Sequence, residues 1–135
     1  MKNKVKMLEN PQTEAQHQIN LMRWTLINRN VYPELALLHH IPNGGSRDYI
    51  EAKRLKEQGL KAGVPDLCLP VPRGIYHGLY LELKTDKGKL SDSQEWWLER
   101  LRQQGYYAIV CHGWHSAVQV VESYLKLWPQ PKLSA

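Results

Sequence analysis

The residues best suited to chemistry lie in two short segments of the chain. Asp66 follows a proline, and Glu82-Leu83-Lys84 begins after fifteen intervening residues. Neighbouring strands can place Asp66 and Glu82 side by side, and the two-residue period of a strand puts Glu82 and Lys84 on one face. Paired carboxylates repel unless a cation lies between them. Because hard oxygen ligands suit Mg²⁺ or Mn²⁺, the pattern predicts a divalent-metal site.

A metal ion at this position would serve hydrolysis of a phosphate ester. It lowers the pKa of a bound water and neutralises charge on a phosphate. Lys84 lies one strand step beyond Glu82, where it can orient that water or stabilise a charged transition state. The alternative is an exposed Glu-Lys pair on a two-faced sheet, since a proline-aspartate followed by Glu-x-Lys also arises by chance. The surrounding sequence favours the metal site.

The elements that position these residues alternate between helix and strand. The predicted order is α-β-α-β-β-α-β-α, which gives one four-stranded mixed sheet flanked by helices on both faces. The helices are predicted at 11–29, at 47–58, from Ser91 to about Gln104 and from Ser116 onward, and the strands at 35–41, 66–69, 79–84 and 106–111.

Local signals set several of these boundaries. Thr13 with Gln16 and Ser91 with Gln94 have the spacing of capping boxes. Ser46 is expected to cap the second helix, which ends at Gly59.

Apolar spacing predicts which faces are buried. On the first helix, Ala15, Ile19, Met22 and Leu26 share a face at helical spacing, so this face is expected in the core. On the last helix an apolar stripe runs from Trp114 to Trp128 and also predicts core packing. Leu81 and Leu83 should face away from Tyr80, Glu82 and Lys84.

Composition bounds the class of protein. The 135 residues, 42% apolar and 23% charged, predict one globular domain. We assign residues 1–10 to a basic flexible tail, 11–128 to the domain and 129–135 to a C-terminal tail. No stretch is long and apolar enough to cross a membrane, and the N-terminus lacks a secretory pattern, so a cytoplasmic location is expected. Cys68 and Cys111 are expected to be buried thiols, and the net charge of +5 favours a polyanionic partner.

Four motifs in order resemble a known family. They are Ile41-Pro-Asn-Gly-Gly45, Gly59-Leu-Lys-Ala-Gly-Val-Pro-Asp-Leu67, Leu81-Glu-Leu-Lys84 and Lys89-Leu-Ser-Asp-Ser-Gln94. Over about residues 11–125 the sequence resembles the VRR-NUC domain, a branch of the PD-(D/E)xK nuclease superfamily. The resemblance implies an α/β fold with a restriction-endonuclease-like core.

The resemblance also implies roles for individual residues. Glu14, Asp66, Glu82 and the carbonyl of Leu83 would bind Mg²⁺ or Mn²⁺, and Lys84 would be the catalytic lysine. Gln94 matches the family's glutamine after the Glu-x-Lys strand and would support catalysis, although its capping position explains it equally well. Glu14 likewise suits the first turn of a helix, where the dipole favours an acid.

Several further residues are candidates for binding nucleic acid. Asn43 and Gly44 lie in a predicted turn that could contact phosphate. Arg47, Lys53 and Arg54 lie on a weakly amphipathic helix, and a solvated face is an equally good interpretation of them. Lys87 and Lys89 lie in the loop after the Glu-x-Lys strand, which should border the site.

These observations predict a metal-dependent endonuclease that hydrolyses phosphodiester bonds in DNA. By resemblance, small members of the family act as homodimers on branched DNA such as four-way (Holliday) junctions, and they suit phage or prophage recombination and repair. No small-molecule cofactor and no membrane partner are expected. Two alternatives remain: a non-catalytic DNA-binding module of the same fold, and a nuclease that acts on flaps, ends or RNA.

Overall fold

The chain folds as an α/β protein in the order predicted. The computed structural model describes residues 4–9, 12–44 and 48–133. Its helices are α1 (Glu14–Asn28), α2 (Tyr49–Glu57), α3 (Asp92–Gln103) and α4 (Trp114–Leu125), and its strands are β1 (His39–His40), β2 (Leu67–Leu69), β3 (Leu79–Lys84) and β4 (Tyr107–His112). A 3-10 turn, Pro33–Leu37, precedes β1.

The four strands form one mixed sheet in the order β1-β2-β3-β4. β1 pairs with β2 and β2 with β3 in antiparallel fashion, with Leu67 opposite Leu81. β3 and β4 are parallel, with Glu82 opposite Val110. α3 supplies the crossover connection that a parallel pair requires. β3 therefore lies inside the sheet, between the strand that follows Asp66 and the strand that follows α3.

Two apolar clusters hold the helices on opposite faces of the sheet. The larger cluster includes Leu81 and Leu83 of β3 and Val121 of α4. The smaller cluster joins Leu98 of α3 to Ala108 of β4. The alternation predicted for β3 is thus confirmed, and its polar face is covered as well: Glu82 and Lys84 are 1% and 7% exposed. An exposed Glu-Lys pair on a two-faced sheet is therefore excluded.

The capping box of α1 was predicted correctly, but the helix begins at Glu14 rather than at residue 11, and its buried face differs from the prediction. Thr13 and Gln16 form both hydrogen bonds of a capping box. The buried residues of the helix are Asn20, Leu21 and Thr25, whereas Ile19 and Leu26 are 43% and 53% exposed. Asn20 tolerates burial because its side chain is hydrogen-bonded to both backbone groups of Leu8. The described part of the N-terminal segment is thereby fixed to α1 at Leu8.

Residues 35–41 do not form the single strand predicted for them. Pro33 starts a 3-10 turn, and only His39 and His40 pair with β2. Leu35 and Leu38 are both buried. Their spacing of three matches the period of a 3-10 turn rather than that of a strand.

The starts of α2 and α4 also differ from the prediction. Asp48 caps α2 by accepting a hydrogen bond from the Ile50 amide at 2.9 Å, whereas Ser46, the cap predicted, lies outside the described residues. α4 begins at Trp114, before Ser116, and its N-cap residue Gly113 has φ +88°.

Cys68 and Cys111 are buried and not in a disulfide, as predicted. Near the C-terminus, Gln130 donates hydrogen bonds to the carbonyls of Gly74 and Tyr76, both at 3.0 Å. None of the helices in the described ranges is long and apolar enough to span a membrane.

Candidate active site

Asp66 is held beside β3 by a backbone hydrogen bond. Its Oδ2 accepts from the amide of Leu83 at 2.7 Å. Its own carbonyl accepts from the amide of Ile41 at 2.8 Å and from Nδ1 of His40 at 2.8 Å. Asp66 thus continues the antiparallel pairing of β2 and β3 by one step with its side chain. The sequence-based expectation that Asp66 lies next to the Glu-x-Lys strand holds in the structure.

Glu82 is buried with only part of its hydrogen-bonding capacity used. Its Oε1 accepts a hydrogen bond from Nε2 of Gln94 at 2.9 Å. Its Oε2 is buried and has no hydrogen-bond partner among the described residues. Buried carboxylate oxygens are normally bonded, so an orphaned one points to a missing donor or cation.

Lys84 places an ammonium group between two carboxylates. Its Nζ lies 3.6 Å from Oε1 of Glu82 and 3.6 Å from Oε1 of Glu14. Glu14 is the first residue of α1, and its side chain is 49% exposed. The aliphatic part of Lys84 packs under Gly88, where an added Cβ would lie 3.2 Å from Cβ and Cδ of the lysine. The site therefore joins the end of β3 to the start of α1.

Gln94 both caps α3 and contacts Glu82. Its Oε1 accepts from the amide of Ser91 at 2.9 Å, and its backbone amide donates to Oγ of Ser91 at 3.2 Å, which completes a capping box. The remaining half of the side-chain amide, Nε2, donates to Glu82. Because the cap fixes the orientation of the amide, the donor is aimed at Glu82.

Burial and mutual repulsion raise the pKa of both central acids. The pKa of Glu82 is raised to about 8, chiefly by desolvation and also by the charges of Asp66 and Glu14. The nearby ammonium of Lys84 opposes the rise without cancelling it. The pKa of Asp66 is also raised, chiefly by desolvation, against the lowering effect of its bond to the Leu83 amide. In the metal-free protein these acids hold protons more tightly than ordinary carboxyls.

The segment before Asp66 is fixed closely to α3. Gly63 has φ +88°, and an added Cβ there would lie 2.6 Å from the backbone carbon of Ser93. No residue with a side chain fits this approach without a shift of one backbone. No role was predicted for Gly63, although its place three residues before Asp66 in the Gly-Val-Pro-Asp motif was the available signal.

The predicted nucleic-acid-binding residues differ in their exposure and in the contacts they make. Lys53, Arg54, Lys87 and Lys89 are exposed, and Gly44 is exposed with φ +134°. The side-chain amide of Asn43 is used inside the protein, since Nδ2 donates to the carbonyl of Val64 at 2.8 Å. Arg47 lies outside the described residues.

The donor chemistry of the site fits a hard divalent cation. Glu14, Asp66 and Glu82 offer carboxylate oxygens, and the orphaned Oε2 of Glu82 lacks a partner that a cation would supply. Within the described ranges, however, no three side chains of Asp, Glu, His or Cys lie close enough to form a ready-made metal cluster. Lys84 sits between Glu14 and Glu82, so binding of an ion by both would require the ammonium to move.

Comparison with known proteins gives the family. The model of the VRR-NUC domain matches residues 9–115. The chain belongs to the VRR-NUC family. A solved structure described as a VRR_NUC domain protein is 31% identical, with a TM-score of 0.77, and the match covers 94% of this chain and 99% of that one. No match was found among curated proteins.

Membership confirms the fold and the general class of activity. The VRR-NUC domain is a nuclease-type fold, which is consistent with the PD-(D/E)xK superfamily. The four-stranded mixed sheet of this chain matches that of its VRR-NUC structural neighbour.

Proposed function

We propose that this VRR-NUC protein is a divalent-metal-dependent endonuclease that hydrolyses phosphodiester bonds in branched DNA, such as a four-way junction, and that it acts as a homodimer. One observation carries the catalytic part of the proposal. A buried carboxylate oxygen of Glu82 has no hydrogen-bond partner among the described residues, on the strand where Asp66 and Lys84 also converge. A buried carboxylate oxygen without a hydrogen-bond partner is costly, so such an arrangement is retained where it serves a ligand.

Glu14, Asp66 and Glu82, with the carbonyl of Leu83, are the groups that would hold Mg²⁺ or Mn²⁺. When bound, a divalent ion activates water and neutralises charge on the scissile phosphate. The chain itself supplies the rest. Gln94 fixes one oxygen of Glu82, the Leu83 amide fixes one oxygen of Asp66, and Lys84 keeps a positive charge at the end of β3. That charge is suited to stabilise the phosphorane-like transition state.

The charge and size of the chain support the choice of substrate. A net charge of +5 favours a polyanion, and Lys87 and Lys89 are exposed in the loop that follows Lys84. Each chain offers one candidate site of this kind in its described residues. Symmetric cutting of two strands therefore needs two copies, which a two-fold dimer provides.

A substrate panel tests the proposal directly. Duplex, single strand, flap, splayed arm and four-way junction are compared at one concentration of Mn²⁺ or Mg²⁺, and an RNA version of the junction is included. We expect the four-way DNA junction to be cut fastest and cutting to stop when EDTA is added. Absence of cutting on every substrate would refute the nuclease proposal. Equal rates on duplex and junction would refute the preference for branches.

Two variants and one control test the site. Asp66→Asn keeps an acceptor for the Leu83 amide while removing a charge, and Lys84→Met keeps the length of the side chain while removing the ammonium. We expect each to lower kcat by at least about 100-fold. Lys132→Met, at an exposed lysine far along the chain, is the matched control and should retain wild-type activity. The site assignment is wrong if Asp66→Asn and Lys84→Met cut as fast as the control.

The homodimer is tested separately, by gel filtration with light scattering at the concentrations used for cleavage. A mass of twice 15.7 kDa is expected. A monomer that still resolves junctions would refute the dimer while leaving the nuclease proposal in place.

A further inference from the structure

We propose that Asn43 and Trp97 are positioning residues that hold the Asp66 carboxylate in place, and that Asn43 does not act as a contact to DNA. The inference deepens the proposed function and rests on it wherever Asp66 is treated as a metal ligand. The structural part, the position of the Asp66 side chain, stands on its own.

The two side chains donate hydrogen bonds to the backbone on either side of Gly63. Nε1 of Trp97 donates to the carbonyl of Ala62 at 3.1 Å. Nδ2 of Asn43 donates to the carbonyl of Val64 at 2.8 Å. One donor lies on α3 and the other in the loop after β1, so residues 62–64 are hydrogen-bonded to two separate parts of the fold.

Between these two hydrogen bonds, the backbone of Gly63 packs closely against the backbone of Ser93. Gly63 is buried, and a Cβ there would lie 2.6 Å from the backbone carbon of Ser93 at the start of α3. The next residues leave little slack, because Pro65 is fully buried and its ring fixes φ. A displacement of Val64 would therefore be passed on to Asp66, two residues later.

The end of this short segment carries the carboxylate. Oδ2 of Asp66 meets the amide of Leu83 at 2.7 Å, and the carbonyl of Asp66 meets the amide of Ile41 at 2.8 Å. Asn43 lies two residues beyond Ile41. One short loop thus fixes the backbone of Asp66 directly, through Ile41, and at a distance, through Asn43 and Val64.

Because the Asn43 amide donates to the backbone of Val64, it is poorly placed to donate a hydrogen bond to a DNA phosphate. The Asn43 amide has two N–H donors, and the described structure directs its nitrogen at Val64. Asn43 is also only partly exposed. The turn that contains it was predicted from its Asn-Gly sequence to contact nucleic acid, whereas the geometry gives its amide an internal partner.

The first test uses the amide of Leu83 as a reporter. Asn43→Ala and Trp97→Phe each remove one donor, and Trp97→Phe keeps an aromatic ring. In ¹H–¹⁵N spectra of the metal-free protein we expect both variants to move the Leu83 resonance toward its position in Asp66→Ala, where the acceptor is missing. Gln130→Ala is the matched control, since it also removes an amide that donates to loop carbonyls, at the turn of residues 73–76. A Leu83 resonance that stays in the wild-type position in both variants would overturn the inference.

The second test separates positioning from DNA contact. Mn²⁺ affinity is measured by calorimetry without DNA, and kcat and KM are measured on the preferred DNA substrate. We expect both variants to weaken Mn²⁺ binding by about 10- to 100-fold, the range for residues that orient metal ligands, and to lower kcat with KM for DNA unchanged. An Asn43→Ala protein with wild-type Mn²⁺ affinity and a raised KM would show that Asn43 contacts DNA and would overturn the inference.

The two proposals fail in different ways. A wild-type protein that neither binds Mn²⁺ nor cuts DNA refutes the proposed function, and the Leu83 resonance still decides whether Asn43 and Trp97 position Asp66. Melting temperatures of all variants are measured alongside. If Trp97→Phe does not fold, Asn43→Ala carries both tests.

Discussion

Replacement of Glu82 by Gln should remove much of the pH dependence of stability in the metal-free protein. Glu82→Gln keeps the size of the side chain and an acceptor for Gln94, but it cannot bind a proton. In the folded protein burial raises the pKa of Glu82 from its ordinary 4.5 to about 8, so the folded state binds a proton more tightly than the unfolded state. The stabilisation is therefore complete below about pH 4.5 and is lost as the pH rises through about 8.

The size of the effect follows from the shift. One pKa step corresponds to about 1.4 kcal/mol, so the move from 4.5 to about 8 gives a fall of up to about 5 kcal/mol across this window. Asp66, whose pKa is also raised, adds a fall of the same sign in both proteins. Because the charges of Asp66 and Glu82 interact, the difference between wild type and Glu82→Gln reports Glu82 together with its interaction with Asp66.

The assay is urea unfolding in EDTA at pH 5, 6, 7 and 8, followed by tryptophan fluorescence. We expect the free energy of unfolding of wild type to fall steadily over this range and that of Glu82→Gln to fall much less. Glu95→Gln, the same chemical change at an exposed position of α3, is the control and should follow wild type. Parallel curves for wild type and Glu82→Gln would refute the argument that burial of this carboxyl dominates.

Two further substitutions test the neighbourhood of the site. Gln94→Glu preserves the capping box, because glutamate accepts from the Ser91 amide equally well. It replaces the donor to Glu82 by a negative charge. At pH 9 we therefore expect the free energy of unfolding in urea to fall by about 1.5–3 kcal/mol, with little loss at pH 5. A loss that is the same at both pH values would contradict this. Gly63→Ala should cost about 2–5 kcal/mol, from its positive φ and the clash with the backbone of α3. Gly59→Ala, with φ +105° but nothing within 4 Å, should cost only about 1–2 kcal/mol, and equal costs would show that the close approach is unimportant.

The parts of the fold that depend on neighbours in sequence were predictable. β3 was bounded correctly because alternation and flanking turns are local, and both capping boxes were found from residues three positions apart. The same locality placed Asp66 and the Glu-x-Lys strand together, since β2 and β3 are consecutive strands joined by the loop of residues 70–78 and pair with each other.

Features set by distant contacts were not predictable in this way. Apolar spacing on α1 pointed to Ile19 and Leu26, yet Asn20 is buried because Leu8 satisfies its side chain. α4 starts early because Nδ1 of His17, on α1, accepts from the Trp114 amide at 3.1 Å, a cap that no local pattern reveals. The orphaned oxygen of Glu82 likewise arises only from packing, since the motif gives its residue type and not its surroundings.

The side-chain amide of Gln94 links Glu82 to a pair of tryptophans on α3, whose fluorescence can report on the site. Any ligand that draws on Glu82 changes the acceptor that Gln94 serves, and the cap at Ser91 ties that change to the first turn of α3. Trp97 lies less than one turn further along α3. Its ring meets that of Trp96 edge to face, with the two ring centroids 5.6 Å apart. We therefore expect occupancy of the site to alter the emission of this tryptophan pair, so that ligand binding is visible in the unlabelled protein without any cleavage.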